Sequence, residues 1–229
     1  NKRLFNELYF SRLVSLNYYK TAFNFLDKRN IRDLSEADLN ILVNYYGSNT
    51  SKLGFIQKYL KGVKGYSSLK ANLQTLISLK ELRKIKKNLT KKRLSFPEKR
   101  FNSRLKYKFD QLNRLTKKAM STIKLGSSYY VSDLYIILIE SYDYLYEAIE
   151  KFSPTSKSKD YVKSFKASMS KVSLPLKTEM EKLKHEAGNI LNKKFIFSKN
   201  GSNILTKLDY SVDANFDIRN FVFPAEKEF

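Results

Sequence analysis

Across 229 residues, 44 Lys plus Arg stand against 22 Asp plus Glu, a formal net charge of +22, with 42% hydrophobic residues, 16 Phe, 16 Tyr, seven Gly, four Pro and no Cys. The apolar content argues for a packed core rather than disorder. The few Gly and Pro leave little turn material for a β-sandwich or barrel, and the missing thiols exclude disulfides, thiolate metal sites and Cys nucleophiles. The charge singles out a polyanion or an acidic protein surface as the partner to look for.

The first residue is Asn1 rather than Met, so the reading expects a processed product or an excised piece, with any targeting segment out of view. Residues 2–28 are expected to form one helix that is apolar on more than one side through Phe5, Leu8, Tyr9, Leu13, Leu16, Tyr19, Phe23 and Leu26, and therefore largely covered by neighbours. Ser35 and Asp38 cap a short predicted helix carrying Leu39, Leu42, Val43 and Tyr46. After a loop over 47–51, a second short helix carries Leu53, Ile56, Tyr59 and Leu60 and ends at Gly62 and Gly65.

The stretch from Lys80 to Lys118 departs furthest from an average protein: sixteen Lys or Arg against Glu81, Glu98 and Asp110 leave +13 on thirty-nine residues. At the angular step of a helix, Lys80, Lys84, Lys87 and Lys91 fall in one narrow stripe and Leu79, Leu82, Ile85 and Leu89 on the opposite side. Upstream, Leu69, Leu73 and Leu76 occupy the sector that the lysines take over, so the apolar face changes sides near 77–80. An unbroken helix over 68–93 must then pack on one neighbour with its first half and on another with its second; a kink at the changeover is the alternative.

Ser95, Pro97 and Glu98 predict a capping box that opens the next helix. Its apolar stripe is Phe101, Leu105, Phe109, Leu112, Leu115, Ala119 and Ile123, with Arg100, Arg104, Lys106, Arg114, Lys117 and Lys118 off its central line. The two helices form a basic hairpin over 68–125 with cations on its outer surfaces. The candidate polyanion-binding residues are Lys80, Arg83, Lys84, Lys87, Lys91, Lys92, Arg93, Lys99, Arg100 and Arg104.

A turn at Gly126 leads into the hydrophobic helix 129–152, whose seam is Val131, Leu134, Leu138, Tyr142, Leu145, Ile149 and Phe152. Asp133, Glu140, Asp143, Glu147 and Glu150 line another side as an acidic counterpart to the lysine stripe. The longest apolar run, Leu134 to Ile139, is too short to span a membrane. A loop at 153–158 precedes two predicted helices, 158–171 with Tyr161, Phe165 and Met169, and 175–192 with Leu176, Met180, Leu183, Ala187 and Ile190. In the tail 195–229, Tyr210, Val212, Ala214, Phe216 and Ile218 alternate with polar residues, the period of a half-buried strand, and Phe195–Phe197 reads as a second short strand before Asn200-Gly201.

The expected fold is all-α: an antiparallel helical array or degenerate α-solenoid of about eight helices over 1–194, with a short β or extended appendage over 195–229. The block from Tyr161 to Met169, running into Leu174 to Met180, resembles the terminal helices of tetratricopeptide-like proteins of bacterial cell envelopes. That resemblance implies a scaffold whose concave helical surface holds another protein, in the periplasm or cell envelope.

Chemistry finds little support in the residues. His185 opens a zinc-protease-like sequence, but Asn189 stands where the second His is required. Asp213, Asn215 and Asp217 start like a calcium loop, yet Ile218 replaces its Gly and Pro224 its closing Glu. Neither metal nor cofactor is expected. The leading expectation is a non-catalytic interaction scaffold whose basic face docks an acidic protein, an anionic cell-wall polymer or lipid headgroups. A nucleic-acid binder using residues 80–118, with Phe96 and Tyr107 available for stacking, and a carboxylate-only glycan hydrolase using Glu140 and Glu147 are the alternatives.

Overall fold

A computed structural model describes residues 2–29, 45, 68–128, 130–154 and 157–193. Six helices occur among them and no strand: α1 Lys2–Ser15, α2 Tyr19–Arg29, α3 Ser68–Lys91, α4 Glu98–Ile123, α5 Val131–Glu150 and α6 Lys159–Lys193. The all-α expectation is therefore met. The two short helices expected between 35 and 62 and the extended tail over 195–229 lie outside the described residues.

The predicted single helix over 2–28 is two helices. Asn17 adopts the left-handed conformation with φ 62°, which Asn tolerates better than other residues with a Cβ. Around it the Tyr18 N–H donates to Leu13 O at 2.9 Å and the Asn17 N–H to Val14 O at 3.0 Å. This hydrogen-bond pattern satisfies the last carbonyls of a helix and stops it.

The opposite correction applies to 158–192, predicted as two helices and observed as the single 35-residue α6 with Pro175 inside it. Proline removes one donor, so the helix forgoes one internal bond. The turn after it gains a side-chain bond, Thr178 Oγ1 donating to Leu174 O at 3.2 Å. Continuous packing does the rest, since Leu176, Met180, Leu183, Ala187 and Leu191 are all buried in the main core.

α5 occupies the centre, packing on α3, α4 and α6. A helix with three neighbours must be apolar or small on several sides, and α5 buries Val131, Leu134, Tyr135, Ile137, Leu138, Tyr142, Leu145 and Ile149 together with Ser132 and Ser141. The buried Ser141 hydroxyl donates to Ile137 O of its own helix at 2.6 Å, so no donor is orphaned.

α3 runs unbroken from Ser68 to Lys91 and serves two cores. Leu73 and Leu76 pack with Phe10, Leu13, Val14, Ala22, Phe23 and Leu26 of α1 and α2. Leu79, Leu82, Ile85 and Leu89 pack in the main core, where α3 lies against α4 and α5. The side change legible in the sequence is thus realised without a break, by two different neighbours. The α4–α5 turn, with Gly126 at φ 78°, is tied to α3 by Ser127 Oγ donating to Asn72 Oδ1 at 2.6 Å.

α5 is also clamped to α6 by Tyr135, 1% exposed, whose hydroxyl donates to Glu186 Oε1 at 2.7 Å. Burial, then the hydrogen bond and negative charge of Glu186, push the Tyr135 phenol above its ordinary value of 10.0. A raised phenol favours the folded state below the ordinary pKa and loses that contribution as pH climbs past it. Stability measured by urea titration should therefore fall above about pH 10, and Tyr135→Phe should flatten that fall. In the same titration Pro175→Ala, at an exposed position, should raise stability by about 1 kcal/mol or more by restoring the internal bond.

Candidate functional site

The second half of α3 buries its leucines on one side only, which leaves the opposite side in water. Arg83, Lys84, Lys87 and Lys91 on it are exposed, and Lys92 and Arg93 beyond the helix end and Lys99 and Arg100 at the start of α4 continue the exposed cations. None of these eight has an ion-pair partner among the described residues. Between α3 and α4 lies a groove of about 1020 Å³ whose walls carry Lys84, Arg114, Lys117 and Lys118 against Glu81 and Asp110. Lys118 pairs with Glu81 at 2.7 Å, so Lys84, Arg114 and Lys117 face the remaining Asp110. The groove can hold an anion or a carboxylate-rich chain by charge and by the amides of Asn88 and Asn113.

Two of the ten candidate cations are directed inward. Lys80, in line with Leu73 and Leu76, has a buried ammonium with no hydrogen-bond partner, as does the hydroxyl of Thr75 one turn earlier. Arg104 Nη1 donates to Arg93 O and to Ser95 Oγ, each at 2.6 Å. The expected capping box does not form, and Ser95 Oγ takes Arg104 as its donor in place of a helix N–H. α4 instead starts from Pro97, without a side-chain cap and after a cis Phe96-Pro97 bond. Pro97 O takes the Arg100 and Phe101 N–H groups at 2.8 and 3.0 Å.

A cation that the sequence reading passed over anchors the hairpin. Lys108 is fully buried, with Nζ donating to Leu89 O at 2.6 Å and Tyr144 Oη at 2.9 Å. Its ammonium lies 4.7 Å from the centre of the Tyr144 ring, and Tyr144 Oη donates in turn to Thr90 O at 3.2 Å. Leu89 and Thr90 belong to the last turn of α3, where carbonyls lack helical partners and the dipole is negative. Lys108 therefore caps α3 from within α4 while α5 supplies the ring. Its signal was positional: Phe101, Lys108, Leu115 and Thr122, seven residues apart, are all buried, so the apolar stripe of α4 is centred nearer Lys108 than the predicted set implied.

The end of the hairpin is closed by aromatic rings. Phe96 stacks on Phe152 at 5.8 Å and meets Phe165 at 5.8 Å, while Phe101 lies 4.7 Å from Phe152 and 5.2 Å from Phe165. Offset and edge contacts of this kind add to the burial of the rings. They join the α3–α4 connection to the end of α5 and the start of α6. Phe96 is thereby engaged inside the protein, and Tyr107 lies beneath Lys92, whose Nζ is 5.6 Å from its ring centre.

The acidic side of α5 meets the cations of α3 where Lys86 pairs with Glu140. Lys86 lies on the leucine side of α3, so it faces α5, whereas the lysine stripe does not. Glu147 pairs with Lys151, whose ammonium is raised by that hydrogen bond and charge, and Glu150 accepts from Ser173. His185 is exposed, 3.1 Å from the side chain of Asn189. Among the described residues no cluster of three His, Cys, Asp or Glu is placed to hold a metal ion, and no helix is long and apolar enough to cross a membrane. The calcium-like run at 213–217 lies outside the described residues. Comparison with protein-family models, curated proteins and solved structures finds no match for this chain.

Lys108→Ala should cost about 2–4 kcal/mol in urea unfolding, through the cavity and the unsatisfied carbonyl. Tyr144→Phe should cost about 1 kcal/mol, and exposed Lys84→Ala less than about 0.5 kcal/mol.

Proposed function

We propose that the protein is a non-catalytic helical scaffold that docks an acidic protein surface on the basic hairpin α3–α4, within a bacterial envelope assembly. The reading is carried by one observation: the outer stripe from Arg83 to Arg93 is exposed and has no carboxylate partner among the described residues, although a row of acids exists on α5. Cations that served only internal ion pairs would face that row. Among the described residues of α3 Lys86 reaches it, whereas Lys84 borders an open groove with Arg114 and Lys117 and Arg83, Lys87 and Lys91 stay exposed. The envelope setting follows from the tetratricopeptide-like resemblance of the segment 161–180.

Nucleic-acid binding is the second reading, and the packing of Phe96 and the Lys92–Tyr107 contact weigh against base stacking as its basis. The hydrolase reading loses support because Glu140 and Glu147 are both held in ion pairs; hydrolysis of a glycan abolished by Glu140→Gln would revive it.

The test is binding of fluorescent polyglutamate and of single-stranded DNA of matched charge at about 50 and 200 mM NaCl. Polyglutamate should be retained at the lower salt and lose at least tenfold in affinity at the higher, as screening weakens exposed charges. The combined variant Lys84→Glu, Lys87→Glu, Arg114→Glu and Lys117→Glu should abolish binding with unchanged helical circular dichroism. Preference for DNA transfers the site to the second reading. No retention of either polymer removes the docking face.

A further inference from the structure

We propose that α1 seats the protein on an anionic lipid surface through an exposed stripe of Phe5, Leu8, Tyr9 and Leu16. The expectation that α1 is covered on all its apolar sides fails in the structure. Phe10, Leu13 and Val14 enter the N-terminal core, while Phe5 is 66%, Leu8 62%, Tyr9 43% and Leu16 46% exposed. By helical register these four share about 100° of arc, on the side away from Phe10. The Leu16 N–H bonds Arg12 O at 3.1 Å, which carries the helical turn through Leu16. Phe5 and Tyr9 stack at 6.1 Å, so the stripe presents one continuous aromatic surface at its start.

Charge narrows the occupant. Arg12 lies in the middle of the arc, exposed and without an ion-pair partner among the described residues, and Glu7, the one acid of α1, falls outside it. A second copy of a chain carrying +22 would bring like charges together with Arg12 at the centre of the contact. An anionic bilayer surface satisfies both parts: Phe, Tyr and Leu enter the boundary between headgroups and acyl chains while the guanidinium stays at the phosphates. Tyr18, 60% exposed in the turn after α1, adds a ring of the amphipathic kind favoured at such a boundary. From Phe5 to Leu16 the helix rises about 16 Å, a length suited to lying flat. The proposal rests on α1 and not on the basic hairpin.

The chain contains no Trp, so Phe5→Trp in the full-length chain is a sole reporter. With vesicles of phosphatidylglycerol and phosphatidylcholine its emission should shift to the blue and be quenched by acyl-chain bromines; with phosphatidylcholine alone neither should occur. Leu8→Ser and Tyr9→Ser, at exposed positions, should each lower vesicle partition about tenfold. Lys84→Glu with Lys87→Glu should leave the quenching of bound protein intact, which separates this contact from the polyanion face. No blue shift with anionic vesicles overturns the proposal and leaves the hairpin reading standing. A blue shift without lipid that grows with protein concentration overturns it in favour of self-association.

Discussion

The architecture depends on α3 burying different sides along its length. Its first half gives Leu73 and Leu76 to α1 and α2, and its second half gives Leu79, Leu82, Ile85 and Leu89 to the main core beside α4 and α5. Because the second half has a core on one side only, the sector held by leucines upstream emerges into water and is taken over by lysines. The basic face is therefore the solvent side of a structural helix, and its rigidity is inherited from the leucines behind it. A helix that joins two cores also couples them, so the α1–α2 unit is attached through the element that displays the charge.

Positive charge has two separate uses around that helix. Lys108 and Arg104 act inside, on backbone carbonyls at the end of α3 and in the connection that follows it. A buried ammonium without a carboxylate is tolerable there because two oxygens, a ring face and the negative end of a helix dipole surround it. Lys84, Lys87 and Lys91 have no such environment and remain in water. Net charge alone does not separate these uses; the side of the helix on which each residue falls does.

The aromatic residues divide in the same way. Phe96, Phe101, Phe152 and Phe165 close one end of the bundle on each other, whereas Phe5 and Tyr9 are exposed. A cationic hairpin and an apolar stripe on α1 with Arg12 at its middle are two surfaces with different chemistry. Salt screens the charges of the first, whereas the rings and leucines of the second respond to removal of apolar area from water.

Periodicity in the sequence by itself determined the helical class, the existence of the basic hairpin, the buried seam of α5 and the change of side along α3, since these follow from which residue types recur at helical spacing. Tertiary structure alone decided the break at Asn17, the continuity of α6 through Pro175, the diversion of Ser95 and Arg104 from cap and surface to each other, and the burial of Lys108. The break at Asn17 is local, a choice between two backbone bonding patterns, and the others turn on competition between a local preference and a contact farther along the chain. Leu13 and Val14 carbonyls found partners beyond the helix, α5 packing outweighed one missing N–H, Ser95 took a guanidinium in place of a helix N–H, and an α3 terminus required a cation that only α4 could deliver. Local pattern registers the preference but not the distant partner, which is why helices were legible and their ends and inward-turned charges were not.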